Sequence, residues 1–157
     1  MKETLVQRDY DFINETVLLP TDLEKFLDSG FRTEKDCILL KELEYFGKDI
    51  NSDFEKTEYE DFSNHIHIDN YMDVTDEFEY LKVGLEFAKR IYIKLNNNFG
   101  SNFRIIISFS ETTYENQEID TYSSCVVRFY MIRPDCDNKF KIDNLEEFKL
   151  DRVLVIE

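Results

Sequence analysis

Tryptophan is absent from these 157 residues, and glycine (four) and proline (two) are scarce. So few glycines leave little material for a loop that cradles phosphate with bare backbone. No P-loop, G-x-G-x-x-G, G-x-S-x-G or H-E-x-x-H pattern occurs. The three cysteines, Cys37, Cys125 and Cys136, are odd in number, widely spaced and free of any C-x-x-C pair. That usage points away from a zinc site or a disulfide framework and toward reduced thiols in a cytoplasm. There is no run of eighteen apolar residues, and the opening MKETLVQRDYDFINE has no apolar h-region. Neither a membrane span nor a signal peptide is expected. Bases are short as well: 19 Lys and Arg stand against 34 Asp and Glu, a net charge of −15. Direct binding to nucleic acid is disfavoured, because each phosphate contact needs a cation. Anionic membrane surfaces are disfavoured for the same reason. A basic protein partner is favoured, since the field would attract it from a distance.

What the chain does hold is core material: 42% hydrophobic and 15% aromatic, with 14 Phe and nine Tyr. That is enough for one domain over residues 1–157, with a core built largely from rings. The acids are uneven. Asp49 to Glu79 carries eleven (Asp49, Asp53, Glu55, Glu58, Glu60, Asp61, Asp69, Asp73, Asp76, Glu77 and Glu79) against the single base Lys56. Such a segment is either a solvated face or a surface used by a basic partner.

Leu19 to Leu27 reads as a short helix. Thr21 or Asp22 is its N-cap, Leu23, Phe26 and Leu27 share a face, and Gly30 closes it. Glu15 to Leu19 before it fits a short strand. Thr33 to Gly47 supplies a second helix, with Thr33 and Asp36 as an imperfect capping box and Cys37, Leu40, Leu43 and Phe46 as its stripe; Cys37 to Leu40 alone also fits a strand. Asn51 to Asn64 has no clear period and reads as loop or broken helix. Asn64 to Asp69 alternates polar and apolar, as a half-buried strand does. The dominant element is a helix within Asp73 to Asn98, about 75–97. Val74, Phe78, Leu81, Leu85, Ala88, Tyr92, Leu95 and Phe99 form one helical face, with acids near its start and bases near its end. Phe103 to Ser110 is a strand, and Ser124 to Ile132 is a second, apolar on nearly both faces and hence central. Arg133-Pro134-Asp135 breaks it, Asp143 or Asn144 caps a short helix through Leu150, and Arg152 to Ile156 is a third strand. The fold class is α+β: a mainly antiparallel sheet from the C-terminal half, packed on one long helix, with shorter N-terminal helices.

Two groupings carry chemistry. His65-x-His67-x-Asp69 places two imidazoles and a carboxylate on one side of a strand, the only metal-like spacing present; the ordinary alternative is a wet strand face. Glu111 to Tyr122 is a second acidic stretch with four acids, no base and two tyrosines. Its plain reading is a solvated hairpin loop. Joined to Asp53–Asp61, it would form a bipartite acidic face with Tyr59, Tyr114 and Tyr122 as anchors. Glu55, Glu58, Glu60, Asp61, Glu115 and Glu118 would then steer a cationic partner. None of the cysteines is marked as activated, and no cofactor is implied.

In size, acidity, aromatic content and lack of a catalytic motif the chain resembles the acidic immunity proteins of bacterial toxin systems. Leu19-Pro20-Thr21-Asp22-Leu23-Glu24-Lys25-Phe26-Leu27 is similar to the L-P-x-x-(apolar)-x-x-F-L opening helix of the SUKH immunity superfamily. Ser29-Gly30 stands where that superfamily often carries Trp and Gly-Gly marks. The resemblance implies a cytoplasmic inhibitor that covers the active or nucleic-acid-binding site of a cognate toxin, with no site residue carried over. The expected function is therefore an acidic inhibitor of a basic, nuclease-type toxin domain. A DNA mimic that blocks a defence nuclease is the alternative within binding, and a metal-dependent hydrolase using His65 and His67 is the alternative outside it.

Overall fold

Alternation in Phe103–Ser110 sets the architecture. In the computed structural model, which describes residues 2–3, 17–43, 49–100, 102–134 and 152–157, this strand lies mid-sheet with one face wholly buried and the other buried at Ile106. In chain order the elements are β1 (Lys2–Glu3), α1 (Thr21–Ser29), β2 (Phe31–Glu34), β3 (Cys37–Leu40), α2 (Asp53–Ser63) and β4 (His65–His67). A 3-10 turn (Ile68–Tyr71) and α3 (Phe78–Phe99) follow, then β5 (Phe103–Ser110), β6 (Thr113–Glu115), β7 (Glu118–Thr121), β8 (Ser124–Met131) and β9 (Arg152–Ile156). Among the described residues five strands make one sheet, ordered β1-β9-β5-β8-β4, with every neighbouring pair antiparallel. β2–β3 and β6–β7 are separate hairpins. The class is α+β, and β1 and β4 add strands from the N-terminal half to the sheet.

Phe103, Ile105, Ile107 and Phe109 of β5 and Cys125, Val127 and Phe129 of β8 share one buried cluster with Leu81, Leu85, Ala88, Ile91 and Leu95 of α3. On the opposite sheet face Ile106, Tyr130, Val153 and Val155 form a second cluster. One face is buried throughout and the other is buried around Ile106 and Tyr130, with Val126 half-buried, which explains why β8 reads as nearly continuous apolar sequence. α3 approaches β8 closely. A Cβ placed on Gly84 would lie 2.6 Å from the Sγ of Cys125.

The N-terminal third departs from the sequence reading. Pro20, not Thr21 or Asp22, holds the N-cap position of α1 and offers no side-chain cap; its carbonyl accepts the Leu23 and Glu24 N–H groups at 3.0 and 3.1 Å. Gly30, at φ +73°, does end the helix. The helix expected over Thr33–Gly47 is instead the β2–β3 hairpin, as far as its described residues run; 44–48 lie outside them. Lys35 and Asp36 turn it with φ of 49° and 60°, a conformation more often given to Gly or Asn. All four residues of β3 are buried, so its helix-like stripe is a strand packed on both sides. Asn51–Asn64 is not a broken helix. Ser52 accepts the Glu55 N–H at 3.2 Å and Glu55 accepts the Ser52 N–H at 3.1 Å, a complete capping box that starts α2. Residues 15–16, Cys136 and the helix expected from Asp143 or Asn144 to Leu150 lie outside the described residues.

α2 is where the parts join. Its Glu60 carboxylate accepts the N–H of Ile38 on β3 and the N–H of Met131 on β8, each at 2.8 Å. One turn later Asn64 accepts the Leu40 N–H at 3.0 Å and donates to the carbonyls of Ile38 (2.8 Å) and Phe129 (3.3 Å). In an antiparallel ladder every second residue turns its N–H and C=O away from the partner strand. Ile38 and Leu40 are the outward pair on β3, and Phe129 and Met131 lie beyond the end of β4. Two side chains thus serve as the missing strand between two sheet edges. Arg133 completes the joint, donating to both Glu60 oxygens at 2.9 and 2.8 Å, to Thr57 Oγ1 at 3.0 Å and to the Asp36 carbonyl at 3.2 Å.

Two stability tests follow from this packing. Gly84→Ala should lower the free energy of unfolding by about 1–3 kcal/mol through overpacking, although alanine favours a helix by about 1 kcal/mol. Adding Cys125→Ala should recover part of that loss in urea melts; a Gly84→Ala chain more stable than the parent would refute the close approach. Glu60→Ala strands Arg133 and two backbone donors and should cost about 3–5 kcal/mol. Glu58→Ala, on the outer side of α2, should change stability by only about 0.5 kcal/mol.

Candidate protein-binding surface

The α2 acids do not make the surface that their sequence suggests. Glu60 is wholly buried in the joint, and Tyr59, 5% exposed, packs with Cys37 and Leu39. Neither is placed to anchor or steer a partner. Burial raises the carboxyl pKa of Asp61, and the Arg128 guanidinium, its Nε at 3.3 Å, opposes that rise. Glu55 closes the capping box. Of the expected group, Glu58 stays half-exposed on the outer side. A signal for the inward acid is present in the sequence: Thr57, Glu60 and Asn64 follow each other at helical spacing, a polar stripe that turns out to face inside. Its cation, Arg133, is 73 residues away and nothing local announces it.

Nor do the two acidic stretches meet. α2 is tied to β8 at Phe129 and Met131, whereas the Glu111–Tyr122 stretch leaves the sheet at Ser110 and Ser124, whose hydroxyls lie 3.1 Å apart. Seven residues of strand separate Ser124 from Met131, roughly 23 Å at about 3.3 Å per residue. The bipartite face joining Asp53–Asp61 to Glu111–Tyr122 is not formed.

A different pair of segments converges. The second stretch folds into the β6–β7 hairpin, turned by Asn116 and Gln117 at φ 51° and 69°. Tyr114 lies opposite Ile119 and Glu115 opposite Glu118, and every residue of both strands is exposed. Tyr114 (68%), Tyr122 (74%) and Ile119 (45%) show more apolar surface to water than a closed hairpin needs. Its base is clamped to the start of α3. The Glu77 carboxylate accepts the Thr112 N–H at 3.0 Å and the Thr112 hydroxyl, and Thr112 Oγ1 accepts the Ser123 N–H at 3.2 Å. Asp69 accepts the Cys125 N–H at 2.9 Å, and the Phe78 and Phe109 rings lie 5.5 Å apart. Burial raises the Tyr80 pKa, and the charges of Asp69, Asp73 and Glu77 raise it further. Glu77, one of the acids assigned from sequence to the helix dipole, therefore stands against the root of the hairpin. Together, segments 69–82 and 111–124 bring nine carboxylates and one base, Lys82, to one end of the sheet. Lys82 is already engaged with Glu79 at 3.2 Å.

The histidines lie nearby on β4, both exposed, their rings stacked at 4.8 Å with Ile66 buried between them in sequence. Burial lowers the His65 pKa, helped by His67 and by Arg128, which is its cross-strand neighbour. His67 Nδ1 is 3.8 Å from an Asp69 oxygen that already accepts Cys125 N–H. Among the described residues no group of three or more His, Cys, Asp or Glu is placed to hold a metal ion. Burial and Glu60 push the Cys37 thiol up to about 11, and burial raises that of Cys125 too, so neither is an activated thiolate. A cavity of about 280 Å³ opens between Phe26, Leu43 and Tyr71, and of its charged lining Lys25 and Asp22 pair with each other at 2.8 Å.

No helix among the described residues is long and apolar enough to cross a membrane. No curated protein and no solved structure matches the chain. One family model matches residues 1–157, end to end, and the chain belongs to that family, the uncharacterized protein PM0498 family.

Proposed function

We propose that this chain is a protein-binding inhibitor that engages a basic partner through the acidic end of its sheet, in the manner of an immunity protein neutralising a nuclease-type toxin in the cytoplasm. One observation carries the reading: segments 69–82 and 111–124, which meet at the root of a hairpin that holds Tyr114, Ile119 and Tyr122 in solvent, carry nine carboxylates and one lysine, itself paired with Glu79. Carboxylates of one sign focus the field and speed the encounter. Tyrosine beside them offers a rigid apolar body with a polar tip, the chemistry of an interface anchor. The resemblance of the Leu19–Leu27 segment to the opening helix of SUKH immunity proteins supports the biological setting.

Association kinetics with a purified basic nuclease-type toxin domain encoded beside the chain provide the test. Raising salt from low to several hundred millimolar should slow association by about tenfold or more. Joint reversal of Glu115, Glu118 and Asp120 to Lys should do the same at low salt, and Glu58→Lys should have little effect. Equal association at both salt levels, or an unaltered rate for the triple reversal, would sink this mechanism.

A further inference from the structure

The two hairpins are built alike, and one of them shows what the other lacks. In β2–β3, turned by Lys35-Asp36, Ile38 stands one residue past the pair that flanks the turn, Glu34 and Cys37. In β6–β7, turned by Asn116-Gln117, Ile119 stands one residue past the flanking pair Glu115 and Glu118. Ladder alternation turns the N–H and C=O of both isoleucines away from their own hairpin. For Ile38 those groups are met by Glu60 and Asn64. For Ile119 no described residue meets them, and among the described residues the hairpin has no third strand.

The side chains specify what would fit. Glu118 and Asp120 project to one face of β7 and Ile119 to the other, level with Tyr114. Glu115 and Glu118 are like charges directly opposite each other, with no ion-pair partner among the described residues, an arrangement that opposes the hairpin's own closure. A second copy of the chain would add more acid to the same face. We infer that the β7 edge at Ile119 receives an extended strand of the partner in which Lys or Arg alternates with apolar residues. The cations lie against Glu115, Glu118 and Asp120, the apolar residues lie against Ile119 and Tyr114, and the main chain pairs with Ile119. The inference rests on the protein-binding reading above and supplies its mode.

Two peptides of equal charge separate strand pairing from simple attraction. One alternates Lys with Val over seven residues; the other has Pro at each Val position and so lacks those N–H groups. With the full-length protein at low salt, the Lys-Val peptide should bind about tenfold tighter than the Lys-Pro peptide. It should also slow amide hydrogen exchange at Ile119 by about tenfold, which needs no variant. Ile119→Pro, at an outward-facing N–H that an edge strand can lose, should weaken the Lys-Val peptide about tenfold and leave the Lys-Pro peptide unchanged, whereas Ile119→Ala should cost only about threefold. Equal binding of the two peptides, or unchanged Ile119 exchange with Lys-Val bound, overturns the strand-pairing mode and leaves the attraction of a basic partner standing. Failure of both peptides to bind also overturns the mode, and the toxin-domain kinetics then judge the wider reading separately.

Discussion

Burying a carboxylate without partners costs several kcal/mol, and Glu60 is buried completely. It is tolerated because its oxygens receive two backbone N–H groups and a bidentate guanidinium. Those partners come from β3, from β8 and from the residue two beyond β8, so the charge can be satisfied only when all three are in place. With Asn64 one turn on, it also closes two strand edges that would otherwise present unpaired main chain. The position of α2, the buried setting of β3 and the start of β4 directly after Asn64 all follow from that one requirement.

The remaining acids sort by what they touch. Glu55 closes a helix cap, Asp69 ties the start of β8 to the 3-10 turn, Glu77 holds the root of a hairpin to the start of the main helix, and Glu115, Glu118 and Asp120 face solvent on that hairpin. A chain at −15 pays for its charge in self-repulsion, and here much of it gathers at the far end from the α2 joint. The hairpin itself contributes no side chain to the core, so its retention in the fold is not explained by stability.

Much of this was legible in the sequence. The long helix and β5 carry a period sustained over enough residues to exclude the alternatives, β8 and β9 read as apolar runs rich in β-branched residues, and α+β packing follows from them. Four-residue strands do not have that length. Cys37-Ile38-Leu39-Leu40 suits either period, and Lys35-Asp36 gives no glycine to mark the turn. The start of α2 was written plainly in Ser52-x-x-Glu55, a capping box that a period search passes over. The site was harder to read, because inward Glu60 and outward Glu58 differ only in what lies across from them. Asp69–Glu79 and Glu111–Asp120 are likewise neighbours only because β5 runs back along α3.

The distances along the chain at the Glu60 joint bear on how the protein is made. Glu60 meets Arg133 across 73 residues, and Arg133 meets Asp36 across 97. While the chain is being synthesised, β2, β3 and α2 are complete long before their cation exists. An early collapse of those elements would enclose the Glu60 carboxylate with the Ile38 N–H but without its cation, which opposes tight closure of these elements before residue 133 emerges. The same charge that locks the finished fold therefore favours closing its N-terminal portion together with the segment that carries Arg133.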